Sequence, residues 1–213
     1  MRINEIINQN LIEFGAYHRR QIFNTLSTAG YKKLGSGVDA EVWSKTGNYV
    51  IKILIPIDSK MKIAEKGFLE YYNFCRANLG NPFLVRFLPI EGKDYTTFLI
   101  DGERFYQIAM EKLTHFNYYI NQPSKFTSIV YPCIKTIKLN GRFENAKISF
   151  PPWIKTDSKQ LQKAEKFFNT LLNLRRWAKI KNISLDFHAE NIMLRGKTPV
   201  ITDPFYAGRK FNR

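Results

Sequence analysis

The sequence predicts an α+β fold of two lobes, a small antiparallel β lobe followed by a mainly helical one. Three observations predict it. Short β-rich runs separated by glycine-containing turns fill residues 31 to 54 and return between 98 and 110. One helical run interrupts them, and a longer one follows from Asp157 to about Lys181. Finally, 44% of the 213 residues are hydrophobic and 15% aromatic, enough apolar surface for one large domain or two small lobes sharing a cleft.

Residues 3 to 28 come first. Ile6, Ile7, Leu11, Ile12 and Phe14, then Ile22, Phe23 and Leu26, recur at helical steps, and Gly30 supplies a stop. Tyr31 to Leu34, Ala40 to Ser44 and Tyr49 to Leu54 read as strands, separated by Gly35-Ser36-Gly37 and by Lys45-Thr46-Gly47-Asn48. The run from Ser59 to Leu79 reads as a helix, capped by Ser59 and closed near Gly80-Asn81-Pro82. Phe98 to Ile100 and Phe105 to Met110 flank Asp101-Gly102, the strongest short hairpin signal in the chain. Residues 121 to 156 give no clear element, because Pro123, Pro132, Pro151 and Pro152 break any long one. Asp157-Ser158-Lys159-Gln160 resembles a capping box, and the helix it opens puts Leu161, Ala164, Phe168, Leu171, Leu172 and Trp177 on an apolar face. Ile192 to Leu194 and Val200 to Thr202 then pair around Arg195-Gly196-Lys197. The expected organisation is a helical extension at 1–30, a β lobe at 31–110 and a helical lobe at 111–213, divided just after Met110.

Composition narrows the class. No run of about 18 apolar residues is present, so no membrane-spanning helix is expected, and no basic-then-apolar leader opens the chain. Cys75 and Cys133 are a poor basis for a disulfide framework and suit a reducing, cytoplasmic setting. His18, His115 and His188 are scattered and give no zinc-ligand spacing. The formal net charge of +15 attracts nucleotides, nucleic acid or acidic protein surfaces, but the basic residues are dispersed and a merely soluble surface explains them equally well. Direct binding to nucleic acid is therefore weakly supported.

The chemistry concentrates near the carboxyl end. Asp186 and Asn191 stand five apart, and Asp203 follows twelve residues later, after a short apolar run. Phosphoryl transfer assisted by magnesium needs such a set. One carboxylate orients the attacking hydroxyl, while an amide oxygen and a second carboxylate hold the metal that bridges the nucleotide phosphates. Asp186 takes the first role, Asn191 and Asp203 the second. His188 contacts the transferred phosphate or braces the loop, with a histidine satisfied by backbone groups about as good an account. Upstream, Gly35, Ser36 and Gly37 form a glycine turn between strands, where backbone N–H groups can approach phosphates, and Val42 closes the same hairpin. Lys52 ends an apolar strand and would pair with nucleotide phosphates. Glu70, eighteen residues on, is its expected anionic partner, with Glu65 the runner-up. Met110, Glu111 and Leu113 fit a hinge whose backbone groups meet the adenine edge, although the end of a core strand would read the same way.

In order and spacing these residues resemble the protein-kinase-like superfamily over 31 to about 206, and more closely the early protein kinase of podovirus-type phages. The shared style is Asp-x-His-x-x-Asn-Ile-Met followed by Ile-Thr-Asp-Pro, here Asp186 to Met193 and Ile201 to Pro204. The resemblance implies a bilobal protein-kinase-like fold with a truncated helical C-lobe, ATP and Mg2+ as cofactors, and transfer of the γ-phosphate to Ser or Thr of a host protein. It also implies the host cytoplasm as location. The pattern departs from most eukaryotic-type kinases at Ser184 and Leu185, which replace His-Arg, and at Pro204-Phe205, which replace Phe-Gly. Ten residues follow Asp203, where a peptide-holding platform would be expected. Two further readings stand beside this one. A small-molecule phosphotransferase of the aminoglycoside- or choline-kinase kind uses the same Asp-x-His-x-x-Asn but usually meets a cationic substrate with acidic residues. A pseudokinase binding module would have no need of Lys52, Asp186, Asn191 and Asp203 together.

Overall fold

The structure, a computed structural model, describes residues 24, 26–36, 40–54, 62–90, 92–93, 95–100, 103–115, 130, 133, 152–187 and 189–206. Of the helix expected over 3–28, only 24 and 26–28 are described, and they are helical. The class is α+β, as expected, with antiparallel strands in one compact unit (1–62 and 86–112) and most of the described helix in another (63–85 and 113–213).

In the first unit, β1 (Lys32–Ser36), β2 (Ala40–Ser44), β3 (Tyr49–Leu54), β4 (Phe87–Leu88), β5 (Thr96–Ile100) and β6 (Glu103–Glu111) form one antiparallel sheet. Its order is β1-β2-β3-β6-β4, with β5 also on β6. Val50 to Leu54 is an unbroken apolar run except for Lys52, and the whole run is buried. That pattern marks a central strand covered on both faces rather than a half-solvated one. Ile100 pairs with Glu103, so the Asp101-Gly102 connection has the two-residue length its sequence implied. The strand β4 was not expected: two residues are too short for a period to show.

In the second unit, α1 (Lys62–Ala77) buries Phe68, Tyr71, Tyr72, Phe74 and Cys75. The short α2 (Pro152–Lys155) precedes α3 (Ser158–Lys181), where Asp157 caps the start by accepting from Gln160 N–H at 3.1 Å. The reciprocal half of the expected capping box is not made. Asp157 N–H donates to the Ile154 carbonyl instead, and Gln160 Oε1 is buried without a partner. Asn182, in the left-handed region at φ 52°, ends α3, the role glycine more often fills. Residues 70 and 74 meet Trp177, while Asn81 donates to Thr170 Oγ1 at 2.9 Å, so α1 and the segment after it run antiparallel to α3. The helix α1, expected with the strands that flank it in sequence, thus has these contacts in the second unit. The remaining strands pair as β7 (Thr114–His115) with β9 (Ile192–Arg195), β9 with β10 (Thr198–Ile201), and β8 (Ser184–Leu185) with β11 (Phe205–Tyr206).

Candidate active site

The hairpin β9–β10 turns at Gly196, whose φ of 60° suits glycine in a two-residue connection between Arg195 and Thr198. At its open end, Ile192 pairs with Ile201, which sets Asn191 beside Thr202. Thr202 N–H donates to the Asn191 carbonyl at 2.9 Å. Asn191 Nδ2 donates to the Asp186 carbonyl at 2.6 Å, and Asp186 N–H donates to the Pro204 carbonyl at 2.7 Å. These three bonds link residue 186 to 191, 191 to 202 and 204 back to 186. They gather Asp186, Asn191 and Asp203 into one small loop cluster. Phe187 and Pro204 are buried and anchor it, while Asp186 is exposed and Asn191 and Asp203 are half-buried.

The donor set suits magnesium. Asn191 spends a proton of its amide nitrogen on Asp186, so the oxygen is the amide atom suited to a cation, and Asp203 adds a carboxylate. Hard oxygens from two side chains, completed by phosphate oxygens, are what Mg2+ ordinarily takes. Among the described residues, no three of His, Cys, Asp and Glu gather as a metal-holding group.

The first unit organises the other expected residues. Gly35 pairs with Val42, Val42 with Lys52 and Lys52 with Ile108, a lateral row across β1, β2, β3 and β6. Residues paired across antiparallel strands share a face, so Lys52 stands between Val42 and Ile108. Met110, two residues beyond Ile108, lies on the same face opposite Val50. Lys52 is 8% exposed and is the one residue with a formal charge among the buried described residues. A buried ammonium is costly unless it is paired, and Lys52 has polar or electrostatic company in the folded chain.

Other expectations resolve differently. Glu70 Oε2 accepts from Trp177 Nε1 at 3.2 Å and lies 3.7 Å from Lys181 Nζ, which also sits 5.2 Å from the Trp177 ring centre. Its charge is therefore already met within the second unit. At the expected hinge, Glu111 N–H donates to the Arg86 carbonyl at 3.0 Å, Glu111 Oε1 accepts from Arg86 N–H at 2.8 Å, and Lys112 N–H donates to the Asn48 carbonyl at 2.8 Å. Two hinge N–H groups are thus committed to the protein, and Leu113 offers the next. His188 and Gly37, and the side chains of Ser36 and Glu65, lie outside the described residues.

No family model and no curated protein matches the chain. Among solved structures, an amicoumacin kinase in complex with AMP-PNP, Ca2+ and Ami is similar at 15% identity and TM-score 0.46, over 88% of this chain and 64% of that one. A microcompartment-associated aminopropanol kinase is similar at 11% identity and TM-score 0.42, over 86% of this chain and 68% of that one. Spectinomycin phosphotransferase in complex with ADP and spectinomycin follows at 12% identity and TM-score 0.40, over 88% and 68%. This chain thus spans just under two thirds of the first of these and slightly more of the other two.

Sequence reasoning passed over Tyr71, and read Arg195 only as a turn residue and Trp177 only as part of an apolar face. Arg195 donates to the Pro82 and Leu84 carbonyls at 2.8 and 2.9 Å, and Tyr71 donates to the Ile201 carbonyl. Their partners lie more than a hundred residues away in sequence, beyond any local period.

Proposed function

We propose that the chain is an ATP- and Mg2+-dependent phosphotransferase that moves the γ-phosphate to a hydroxyl. The observation that carries it is the three-bond closure joining Asp186, Asn191 and the 202–204 segment, which would hold one base and two metal ligands in fixed relation. Asp186 accepts or orients the acceptor's hydroxyl proton. Asn191 and Asp203 hold magnesium, which supplies charge neutralisation at the phosphates. Lys52 and Val42, with Gly35, Ser36 and Gly37 of the glycine turn, bind the phosphates. Adenine recognition at the hinge uses the Glu111 carbonyl and the Leu113 N–H, beside Met110. His188 steadies the transferred group.

The protein Ser/Thr acceptor expected from the sequence has no counterpart in the similar structures reported above, which are named for kinases of small molecules. A small hydroxylated acceptor is therefore put first, with a protein hydroxyl second. Incubating the chain with γ-labelled ATP and Mg2+, against a panel of hydroxylated amines and against a cell lysate, separates them. Label on small molecules supports the first acceptor and label on protein the second. Label on neither sinks the enzymatic reading.

A further inference from the structure

We propose that Tyr71 is a positioning residue for Asp203, its hydroxyl fixing the strand end that delivers the metal-binding carboxylate. The proposal rests on the phosphotransfer reading above. Tyr71 sits on α1, 130 residues from Ile201, and is fully buried. Its hydroxyl donates to the Ile201 carbonyl and accepts from Val85 N–H at 3.4 Å. Ile201 N–H in turn donates to the Phe83 carbonyl at 2.9 Å, so both backbone polar groups of Ile201 are tied to the segment from 71 to 85. The Tyr71 ring meets Phe205 edge-on, with centres 6.0 Å apart. Asp203 is thereby bracketed: the residue two before it and the residue two after it both contact one tyrosine.

A phenylalanine would fill this core equally well, whereas a buried hydroxyl is costly unless it is bonded. The hydroxyl is spent on the backbone that leads to Asp203. Burial, foremost, raises its pKa well above the usual tyrosine range, with the Cys75 thiol next and the charge of Asp203 last in the same direction, so the donor proton stays in place. The fork of Arg195 on the Pro82 and Leu84 carbonyls pins the turn end of the same hairpin to the same segment. Together they couple the placement of α1 and residues 82–85 to the carboxylate.

The test is ATP affinity by titration calorimetry, with Mg2+ and with a chelator, in wild type, Tyr71→Phe, Arg195→Gln and Asp203→Asn. Losing one buried hydrogen bond should cut the magnesium-dependent gain in ATP affinity about fivefold in Tyr71→Phe, with chelated affinity within about twofold of wild type. A merely structural role would weaken both affinities together, and that parallel loss overturns the proposal. Should Tyr71→Phe not fold, Arg195→Gln must show the same selective loss, and an unchanged gain there overturns it equally. If Asp203→Asn keeps the full gain, the metal role of Asp203 fails and takes the proposal with it. A gain that needs Asp203 but ignores Tyr71→Phe refutes the tyrosine's role alone.

Discussion

Replacing Lys52 by methionine separates a functional cation from a structural one. Lys52 is 8% exposed, in a row between Val42 and Ile108, and it has polar or electrostatic company in the folded chain. Methionine matches its length without its charge, so two energies oppose: relief from burying an ammonium and loss of its polar company. Exchanging a whole buried ion pair for apolar groups typically comes out neutral or about 1–4 kcal/mol more stable, whereas removing one partner alone costs about 3–5 kcal/mol. For a chain of this size about 1 kcal/mol moves the melting midpoint by roughly 2–4 °C. The midpoint of Lys52→Met should therefore fall. ATP affinity should fall as well. A charge-assisted hydrogen bond contributes about 1.5–3 kcal/mol, which is about a tenfold to hundredfold loss. Thermal melts followed by circular dichroism and nucleotide titration read the two effects independently. ATP affinity left intact in a folded Lys52→Met variant would refute the assignment of Lys52 to phosphate.

Two further outcomes concern stability. Asp157→Ala removes the side-chain acceptor from Gln160 N–H and should cost about 1 kcal/mol, read as a lower melting midpoint with helix content otherwise retained. Burial pushes the Cys75 and Cys133 thiols from 9.0 up to about 12. The folded chain then holds these protons more tightly than the unfolded one, so the stability they contribute is complete below pH 9.0 and drains away as pH climbs towards about 12. Melts at about pH 8 and about pH 10.5 should show that decline, smaller in a Cys75→Ala/Cys133→Ala variant.

Much of the strand-rich unit was legible because its signals are local. Ala40 to Ser44 and Tyr49 to Leu54 hold at both ends, and Asp101-Gly102 announces its hairpin through turn chemistry alone. Asp186, Asn191 and Asp203 were singled out by residue type and spacing, and the structure brings their segments together in one loop cluster. What could not be read was which polar groups were already spent. Nothing near Glu70 signals Trp177 or Lys181, and nothing near Glu111 signals that Arg86 and Asn48 take the neighbouring N–H groups. The two-residue strands β4, β7, β8 and β11 escaped notice because they are made by partners from distant segments, not by any period of their own.

The most direct measurement is the rate at which the chain removes the γ-phosphate of ATP, to any acceptor including water, in wild type and Asp186→Asn with Mg2+ present. Removing a well-placed general base costs about 10²–10⁴-fold, so the variant should be slower by that factor while still binding ATP. A wild-type chain that binds ATP yet leaves its γ-phosphate intact, or an Asp186→Asn rate equal to wild type, would contradict phosphoryl transfer at this loop.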